Sequence, residues 1–225
     1  MNKYAGRGFD KQVKPSFFMK YIQRFMRFFF HLLYHPFVFT YDLVAAIVSF
    51  GKWNDWVFSI LPSIIGTRIL ELGHGPGHLQ RILLNRGLFA VGIDESAQMG
   101  TLAKHRLGSS HNLSRALAQQ LPFAVKSFDT IVATFPTDYI FNAHTLSEVM
   151  RCLSDGGRLI VLPVAFPKSP LLKWLYKVTG EMPDDLSESV KSRIRSPFLN
   201  AGFETEVEIV EVKSSWLLIV IAKKV

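Results

Sequence analysis

Two acidic side chains and three glycines occur at spacings that suit a ligand built from a nucleoside. Glu71 precedes Gly73, Gly75 and Gly77, which alternate with other residues, and Asp94 follows the last of them by about twenty positions. Glycines let the main chain approach a ligand closely and adopt a positive φ. A carboxylate at Asp94 can accept hydrogen bonds from the two hydroxyls of a ribose. The pattern therefore predicts a nucleoside site.

The acid two residues before the first glycine separates two kinds of cofactor. Dinucleotide sites usually follow G-x-G-x-x-G and place a helix N-terminus against a pyrophosphate. A carboxylate at Glu71 would repel that anion, whereas it suits a ligand that carries an ammonium and a sulfonium. We therefore favour a cationic nucleoside. An NAD(P)-binding Rossmann oxidoreductase stays the alternative enzyme class.

Alternating strand and helix patterns surround these residues. Short apolar runs predict strands at 68–72, 89–93, about 113–117, 129–134 and 157–164. Amphipathic segments predict helices near 77–86, 96–106 and 142–153. This alternation implies an α/β fold with a mainly parallel, doubly wound sheet. Two β-rich runs then follow, at 204–212 and 216–222, and predict a C-terminal β-hairpin.

Four segments, in order, resemble class I S-adenosylmethionine-dependent methyltransferases. Residues 71–77 read E-x-G-x-G-x-G, and 94–99 resemble the stretch after the family's second strand. Residues 121–132 resemble its L-P-F-x(4)-F-D-x-[IV]-[IV] run, and 148–161 its following helix, L-x-x-G-G turn and fifth strand. The resemblance begins near Tyr41 and is greatest for the lipid- and quinone-type small-molecule enzymes. It implies a Rossmann-like seven-stranded sheet that ends in a hairpin.

The resemblance also implies S-adenosylmethionine as the cofactor and assigns residues to it. Asp94 would bind the ribose and Met99 would pack on the adenine. Leu117 stands where the family often has an acid for the adenine amino group, so backbone groups near Ala118 and Gln119 would take that part. The predicted cofactor set is Glu71, Gly73, His74, Gly75, Gly77, Asp94, Glu95, Met99, Ala118, Gln119, Thr134, Phe135 and Tyr41.

The implied reaction is methyl transfer to a small, lipophilic acceptor, lipid or quinone-like, by in-line displacement. Alignment of the reactants and exclusion of water can supply much of the rate. The sequence marks no clear general base, and Tyr139, His35 and His144 are the weak candidates. His74 and His78 lack a further ligand at metal-binding spacing, so no metal is expected. A non-catalytic cofactor-binding or membrane-adaptor protein on the same fold is a further alternative.

Positive charge is concentrated at the N-terminus, where residues 1–30 carry +6 of the net charge of +8. Helices are predicted at 16–35, with a basic stripe beside a Phe-rich face, and at 38–50. Residues 1–50 could lie at an anionic membrane surface, or pack on the domain as a lid or a dimer contact. A transmembrane span is disfavoured because polar residues and a proline interrupt it. Nucleic acid is not expected, since no nucleic-acid-reading motif accompanies the charge.

Chain length suits one domain with extensions. We predict a helical extension over 1–62, whose last helix runs from 54 to 61, and a methyltransferase domain over 63–225. Residues 167–200 would form a helical insertion or lid within that domain. Cys152 alone permits no internal disulfide, which favours a cytoplasmic setting, with the inner membrane face as a peripheral site.

Overall fold

The computed structural model describes residues 51–108, 111–168, 188–213 and 215–225. The predictions made for residues 1–50, Tyr41 and His35 among them, lie outside these ranges. The same holds for residues 169–187 of the helical insertion predicted over 167–200.

Helices and strands alternate through most of the described chain. The helices are α1 (Trp53–Phe58), α2 (His78–Asn85), α3 (Ala97–Leu107), α4 (Ala143–Cys152) and α5 (Glu188–Asn200), with 3₁₀ turns at Leu61–Ser63 and Asp138–Phe141. The strands are β1 (Arg68–Leu72), β2 (Phe89–Asp94), β3 (Leu113–Arg115), β4 (Phe128–Thr134), β5 (Leu153–Pro167), β6 (Phe203–Val212) and β7 (Ser215–Lys224). None of the described helices is long and apolar enough to cross a bilayer.

Seven strands within the described residues form one sheet, in the order β3-β2-β1-β4-β5-β7-β6. The first five of these strands run parallel, and β7 is antiparallel to both β5 and β6. The predicted doubly wound sheet with its C-terminal hairpin is confirmed. Strand order reverses between β1 and β4, and ligands of open α/β sheets bind beyond the carboxyl ends of the strands at such a point.

Each face of the sheet carries its own apolar core, as alternation along a strand requires. One face packs under α1 and α2 through Trp56, Val57, Ile69, Leu79, Leu83, Val132 and Ile160. The opposite face packs under α4 and α5 through Leu70, Ile131, Leu146, Val149, Leu159 and Phe198. Helix α1 thus contributes to the core of the sheet, and the boundary predicted at 62–63 falls between α1 and β1.

The largest difference from the predicted elements is in β5, which spans Leu153–Pro167 rather than 157–164. Its first residues pair irregularly with β4, because the register shifts between Phe128 and Thr130. A Cβ at Gly157 would lie 2.8 Å from the Ser154 carbonyl oxygen, so the backbone passes too closely there for any other residue. The predicted glycine turn is therefore built into the strand as an irregularity.

Candidate functional site

The turn after β1 is held against the end of β2. The backbone N–H groups of Gly73 and His74 both donate to the Ile93 carbonyl, at 2.8 and 3.0 Å. Gly73, Gly75 and Gly77 have φ values of 70°, 51° and 83°. These values lie in the left-handed region, which is costly for residues with a Cβ. The alternating glycines are thus required by the path of the main chain.

Close packing is a second reason why two of these positions require glycine. A Cβ at Gly73 would lie 2.9 Å from the Tyr139 hydroxyl, which itself donates to the Leu72 carbonyl at 3.1 Å. A Cβ at Gly77 would lie 3.2 Å from the Cβ of Ala103 in α3. The first glycine therefore makes room for Tyr139 over the turn, and the last lets α2 begin against α3.

Asp94 ties the end of β2 to the glycine turn. Its Oδ2 accepts from the Gly75 N–H at 3.0 Å, and its Oδ1 accepts from the Ser96 N–H at 2.8 Å. The Ser96 side chain in turn accepts from the Met99 N–H and caps α3. Each carboxylate oxygen keeps acceptor capacity beyond its one backbone bond. The carboxylate is thereby fixed at the mouth of a cleft with acceptor sites to spare.

Glu71 lies behind the same turn and is almost completely buried, with 2% of its surface exposed. Burial raises the pKa of its carboxyl group to about 8, which the hydrogen bond from Gln80 opposes and the nearby charge of Asp94 reinforces. Glu71 is therefore largely protonated near neutral pH unless a cation lies beside it. The repulsion between Glu71 and a pyrophosphate that the sequence suggested therefore depends on pH, because a protonated carboxyl group carries no charge.

His74 and His78 occupy different surroundings. His74 is buried, its Nδ1 lies 2.7 Å from the Gly75 carbonyl oxygen, and burial lowers the pKa of its ring. His78 lies at the start of α2 with its Nε2 3.0 Å from Nη1 of Arg106, which also donates to the Pro76 carbonyl. Both side chains therefore brace the turn.

A cleft of about 1010 Å³ opens along the carboxyl ends of β1, β2, β3 and β4. Among the described residues, its lining includes most of the predicted cofactor residues that lie at or after the ends of β2, β3 and β4. These are Asp94, Glu95, Ala118, Gln119, Thr134 and Phe135, and Gly73 lines the cleft as well. Tyr139 lines it too. Its volume is at the upper end of the range for small-molecule sites.

A smaller pocket of about 30 Å³ adjoins the cleft on the other side of Gly73. Its described lining includes Glu71, His74, Gly75, Trp53 and Thr134, and Gly73 and Thr134 line both spaces. The turn thus stands between a wide cleft beside Asp94 and a narrow pocket beside Glu71. An elongated ligand that passes over Gly73 would meet both acids.

Three aromatic rings meet beside this junction. Trp53 and Trp56 of α1 lie 4.5 and 6.0 Å, centroid to centroid, from Phe135. Phe135 follows β4 directly and has a φ of 50°, a conformation that side chains with a Cβ rarely adopt. Its N–H donates to the Leu162 carbonyl at 2.7 Å, which holds the strained residue in place. Strain of this kind is often found at functional sites.

Two predicted residues lie apart from the cleft. Met99 is completely buried in α3 and is not among the described residues that line the cleft. His144 is exposed near the start of α4 and lies in neither described lining. The roles assigned to these two side chains stay predictions.

Three lining or supporting residues were not found by sequence reasoning. Gln80 donates to Glu71 at 2.8 Å, Trp53 lines the small pocket, and Arg115 lines the cleft at the end of β3. The position of Arg115 at a strand end could have suggested it. Gln80 and Trp53 are brought to the site by helix packing, which no local pattern indicates.

The fold and the site define a class of protein. Residues 70–161 match the model of a methyltransferase domain family, and this segment contains Glu71, the glycine turn, Asp94 and Phe135. The described fold is similar to that of a solved S-adenosylmethionine-dependent methyltransferase. Residues 70–161 therefore have the sequence pattern of a methyltransferase domain, and the described sheet has a matching fold.

The chain is similar to quinone methyltransferases in sequence. It is 30% identical over 148 residues to the ubiquinone/menaquinone biosynthesis C-methyltransferase of Geotalea daltonii, covering 60% of this chain and 63% of the relative. It is 31% identical over 142 residues to the demethylmenaquinone methyltransferase of Thermotoga maritima, covering 57% and 58%. The alignments thus span less than two thirds of either relative.

Solved structures share the fold at low sequence identity. An S-adenosylmethionine-dependent methyltransferase from Thermotoga maritima superposes with a TM-score of 0.60 at 19% identity, covering 87% of this chain and 99% of its own. The phosphoethanolamine N-methyltransferase 2 of Haemonchus contortus, in complex with S-adenosylmethionine, gives 0.56 at 18% identity, with 77% and 53% covered. These likenesses support the fold.

Proposed function

We propose that this protein transfers a methyl group from S-adenosylmethionine to a quinone-like, lipophilic acceptor. The observation that carries the proposal is the pair of acids on either side of one glycine turn. Asp94 is bonded to the Gly75 N–H at the mouth of the cleft, and Glu71 is buried beside the small pocket. A nucleoside with a cationic tail is the ligand that uses both.

The residues present fit this cofactor at both of its ends. The spare acceptor sites of Asp94 suit a ribose diol, and the backbone around Ala118 and Gln119 lines the cleft where the adenine would lie. Gly73 lines both the cleft and the small pocket, so the two spaces meet at this residue. When bound, S-adenosylmethionine supplies an electrophilic methyl group on a sulfonium.

The buried acid suits the cationic end of this cofactor. An ammonium beside Glu71 lowers the pKa of the carboxyl group and stabilises its charged form. Within the described residues, neither His74, whose pKa is lowered by burial, nor the Gln80 amide that donates to Glu71 provides that positive charge. The pocket therefore contains a buried acid that becomes charged when a cation binds beside it.

The surroundings of the junction suit an apolar, planar acceptor. Thr134 lines both spaces, and Phe135 and Tyr139 line the cleft beside it. Trp53 and Trp56 pack on Phe135 from α1 and close one side. Aromatic walls bind flat rings and exclude water from the reacting groups. The names of the quinone methyltransferases to which the chain is similar point to the same kind of acceptor.

Thermal shift separates this proposal from nicotinamide-dependent oxidoreduction. We expect adenosylhomocysteine to raise the melting temperature, whereas NAD and NADP should leave it unchanged at the same concentration. The reverse result would overturn the choice of cofactor. The matched variant Asp94→Asn should show a smaller shift with adenosylhomocysteine, which ties the effect to this site.

A product assay separates catalysis from cofactor binding alone. Reduced demethylated naphthoquinones and benzoquinones are incubated with the protein and S-adenosylmethionine, and methylated products are detected by mass. We expect product from a quinol and none from Asp94→Asn at low cofactor concentration. Cofactor binding without product from any quinol or lipid tested would favour the non-catalytic alternative.

We also propose that the basic segment 1–50 attaches the protein to an anionic membrane surface, where such acceptors dissolve. The +6 charge of residues 1–30 supports this. Pelleting with vesicles that contain anionic lipid, and release by high salt, is expected. Binding that is equal for neutral vesicles, or a stable dimer without vesicle binding, would favour the lid or dimer function for this segment.

The division of the chain belongs to the same proposal. The part of the extension predicted over 1–62 that precedes α1, and the part of the insertion predicted over 167–200 that precedes α5, would close over the acceptor, since α1 and α5 themselves pack on the sheet. Limited proteolysis with and without adenosylhomocysteine tests this, because closure should protect sites in both segments. Cleavage that the ligand does not change would argue against a lid.

A further inference from the structure

Gln80 is a completely buried polar side chain in the first turn of α2. Its neighbours Leu79 and Leu83 belong to the apolar core on this face of the sheet. A primary amide in such a place costs free energy unless its donors and acceptor are satisfied. Its contacts therefore indicate what it does there.

Both N–H groups of the amide have acceptors. Nε2 of Gln80 donates to Oε2 of Glu71 at 2.8 Å and to the Val91 carbonyl at 3.3 Å. The Val91 carbonyl can only accept a hydrogen bond, so Nε2 of Gln80, rather than Oε1, must face Val91 and Glu71. Among the described residues, Oε1 of Gln80 has no hydrogen-bond partner. The amide is thus oriented as a donor to the carboxylate.

Strand β2 is built to admit this side chain. Gly92 pairs with Glu71 in the parallel register of β1 and β2. A Cβ at Gly92 would lie 3.2 Å from Cδ of Gln80 and 3.0 Å from Cβ of His74. The glycine therefore leaves the space in which Gln80 reaches the carboxyl group, and any larger residue would crowd it.

The titratable groups described around Glu71 are few. Asp94 raises its pKa, and His74, on the glycine turn, has a pKa lowered by burial. His78 lines the same pocket from the start of α2 and lies against Arg106 of α3. The hydrogen bond from Gln80 is the one described contact that favours the charged form of Glu71.

We propose that Gln80 is a positioning residue that orients the Glu71 carboxyl group and favours its charged form when the ammonium group of the cofactor lies beside it. This inference rests on the proposed function, because it names the ligand group that Glu71 meets. Gln80 itself contacts Glu71 and not the ligand.

The direction of the pH effect follows from proton linkage. Glu71 has to lose a proton before it can pair with a cation, and burial places its pKa at about 8. Affinity should therefore rise up to about tenfold per pH unit below 8 and level off above it. Without the hydrogen bond from Gln80, affinity should stop rising only at a higher pH.

The experiment is calorimetric titration of the full chain between pH 6 and 8.5 with two ligands. Adenosylhomocysteine carries the amino acid end, whereas 5′-methylthioadenosine lacks it. We expect affinity for the first to rise with pH and affinity for the second to stay constant. Glu71→Gln should abolish the rise, and the surface variant Gln120→Met should behave as the unmodified chain does.

Gln80→Met keeps the volume of the side chain and removes the donor, and Gln80→Glu keeps the shape and adds a second acid. Both should weaken adenosylhomocysteine binding at pH 7 by about tenfold and shift the pH profile upward. Both should leave methylthioadenosine binding within about twofold.

Three results would overturn the inference. One is a flat pH profile for adenosylhomocysteine on the unmodified chain. Another is a variant at Gln80 that weakens both ligands equally at every pH, since this describes a structural role. The third is a rise with pH that survives in Glu71→Gln. If neither ligand binds the folded chain at all, the proposed function itself fails.

Discussion

Asp94 and Glu71, at the ends of neighbouring strands, differ in burial and in hydrogen-bond partners. Asp94 accepts hydrogen bonds from two backbone N–H groups at the edge of the cleft. Glu71 is buried, and within the described residues the amide of Gln80 donates to it. The first acid is thus held by the main chain, whereas the second acquires its charge when a cation lies beside it.

The first prediction concerns Asp94. Asp94→Asn replaces one acceptor oxygen by a donor that faces a backbone N–H, and it removes the charge. Affinity for both adenosylhomocysteine and methylthioadenosine should fall about 10- to 100-fold, because each carries the ribose. Calorimetry measures this. Asp155→Asn, an exposed acid paired with Lys126, serves as the control and should bind normally. An unchanged affinity in Asp94→Asn would remove Asp94 from the site.

The second prediction concerns Gly73. Gly73→Ala should lower the free energy of unfolding by more than about 1 kcal/mol, since φ is positive and the new methyl group meets Tyr139. Gly100→Ala in α3 has no described atom within 4 Å of the new Cβ and should instead stabilise by about 0.5–1 kcal/mol. Urea denaturation compares the two variants. Equal effects of the same sign would contradict the role of the turn.

At the scale of single residues, the sequence predicted those site residues that belong to a motif. Glu71, Asp94 and the glycines were predictable because their spacing along the chain fixes their part in the turn. Gln80 and Trp53 were not, because each reaches the site from a helix whose packing the local pattern does not specify. The raised pKa of Glu71 also depends on that packing, so its pH-dependent charge could not be inferred.

At the scale of elements, one acid joins the starts of β1 and β4. Oδ2 of Asp129 accepts from the N–H groups of Thr67 and Arg68, both at 3.0 Å, and its carboxylate pairs with the Arg68 guanidinium. A Cβ at Gly66 would lie 2.3 Å from the Cβ of Asp129, so the chain enters β1 against this side chain. The contact fixes two central strands at the edge opposite the cleft.

The third prediction tests this link. The Arg68 guanidinium first, and the backbone donors as well, lower the pKa of Asp129 to about 2. The stabilisation that the ionised Asp129 carboxylate adds to the free energy of unfolding is therefore present above the unfolded pKa of 3.8. It is lost as pH falls toward 2. Asp129→Asn should lower the free energy of unfolding at pH 7 by about 1 kcal/mol, a value discounted for solvent exposure.

Urea denaturation at pH 7 and pH 3 measures the effect, and the two proteins should differ less at the lower pH. The neighbouring pair Lys223 and Glu206, exposed on the hairpin, offers a control. Glu206→Gln should change stability by less than about 0.5 kcal/mol at either pH. A constant difference between Asp129→Asn and the unmodified chain would mean that charge is not involved.

Element types were more predictable than element ends. Apolar runs and amphipathic segments indicated β1, β2, β4, α2, α3 and α4 to within about two residues, because their periodicity reflects burial on a sheet of this kind. Strand β5 was underestimated, since Gly156 and Gly157 are typical of a turn. The structure instead uses Gly157 where two backbones approach closely, which is a tertiary requirement, and Gly156 adopts a φ of 71°.

At the scale of the whole molecule, most of the net charge lies far along the sequence from the site residues. The described domain places its two acids at one edge of the sheet, whereas +6 of the net charge lies in residues 1–30. Binding of the cofactor and the proposed attachment to a membrane surface should therefore respond to different conditions. Salt should act on the second, and pH on the first through Glu71.

The fourth prediction joins stability to pH through that residue. In the folded chain burial raises the pKa of Glu71 from 4.5 to about 8, so the folded state holds the proton more tightly than the unfolded state. Between these values the free energy of unfolding contributed by Glu71 falls as pH rises. The ligand-free protein should accordingly melt at a lower temperature at pH 8.5 than at pH 6.5. Glu71→Gln should lose this dependence and exceed the unmodified chain at pH 8.5.

Adenosylhomocysteine should reverse the trend in the unmodified chain. Its ammonium group pairs with the carboxylate that costs stability when alone, so the ligand-induced rise in melting temperature should be larger at pH 8.5 than at pH 6.5. Scanning calorimetry at both pH values, with Asp155→Asn as a control that keeps the behaviour of the unmodified chain, measures the effect. A rise that is the same at both pH values would show that the ligand does not reach Glu71. The acid would then have a structural role, and the small pocket would not hold the cationic end.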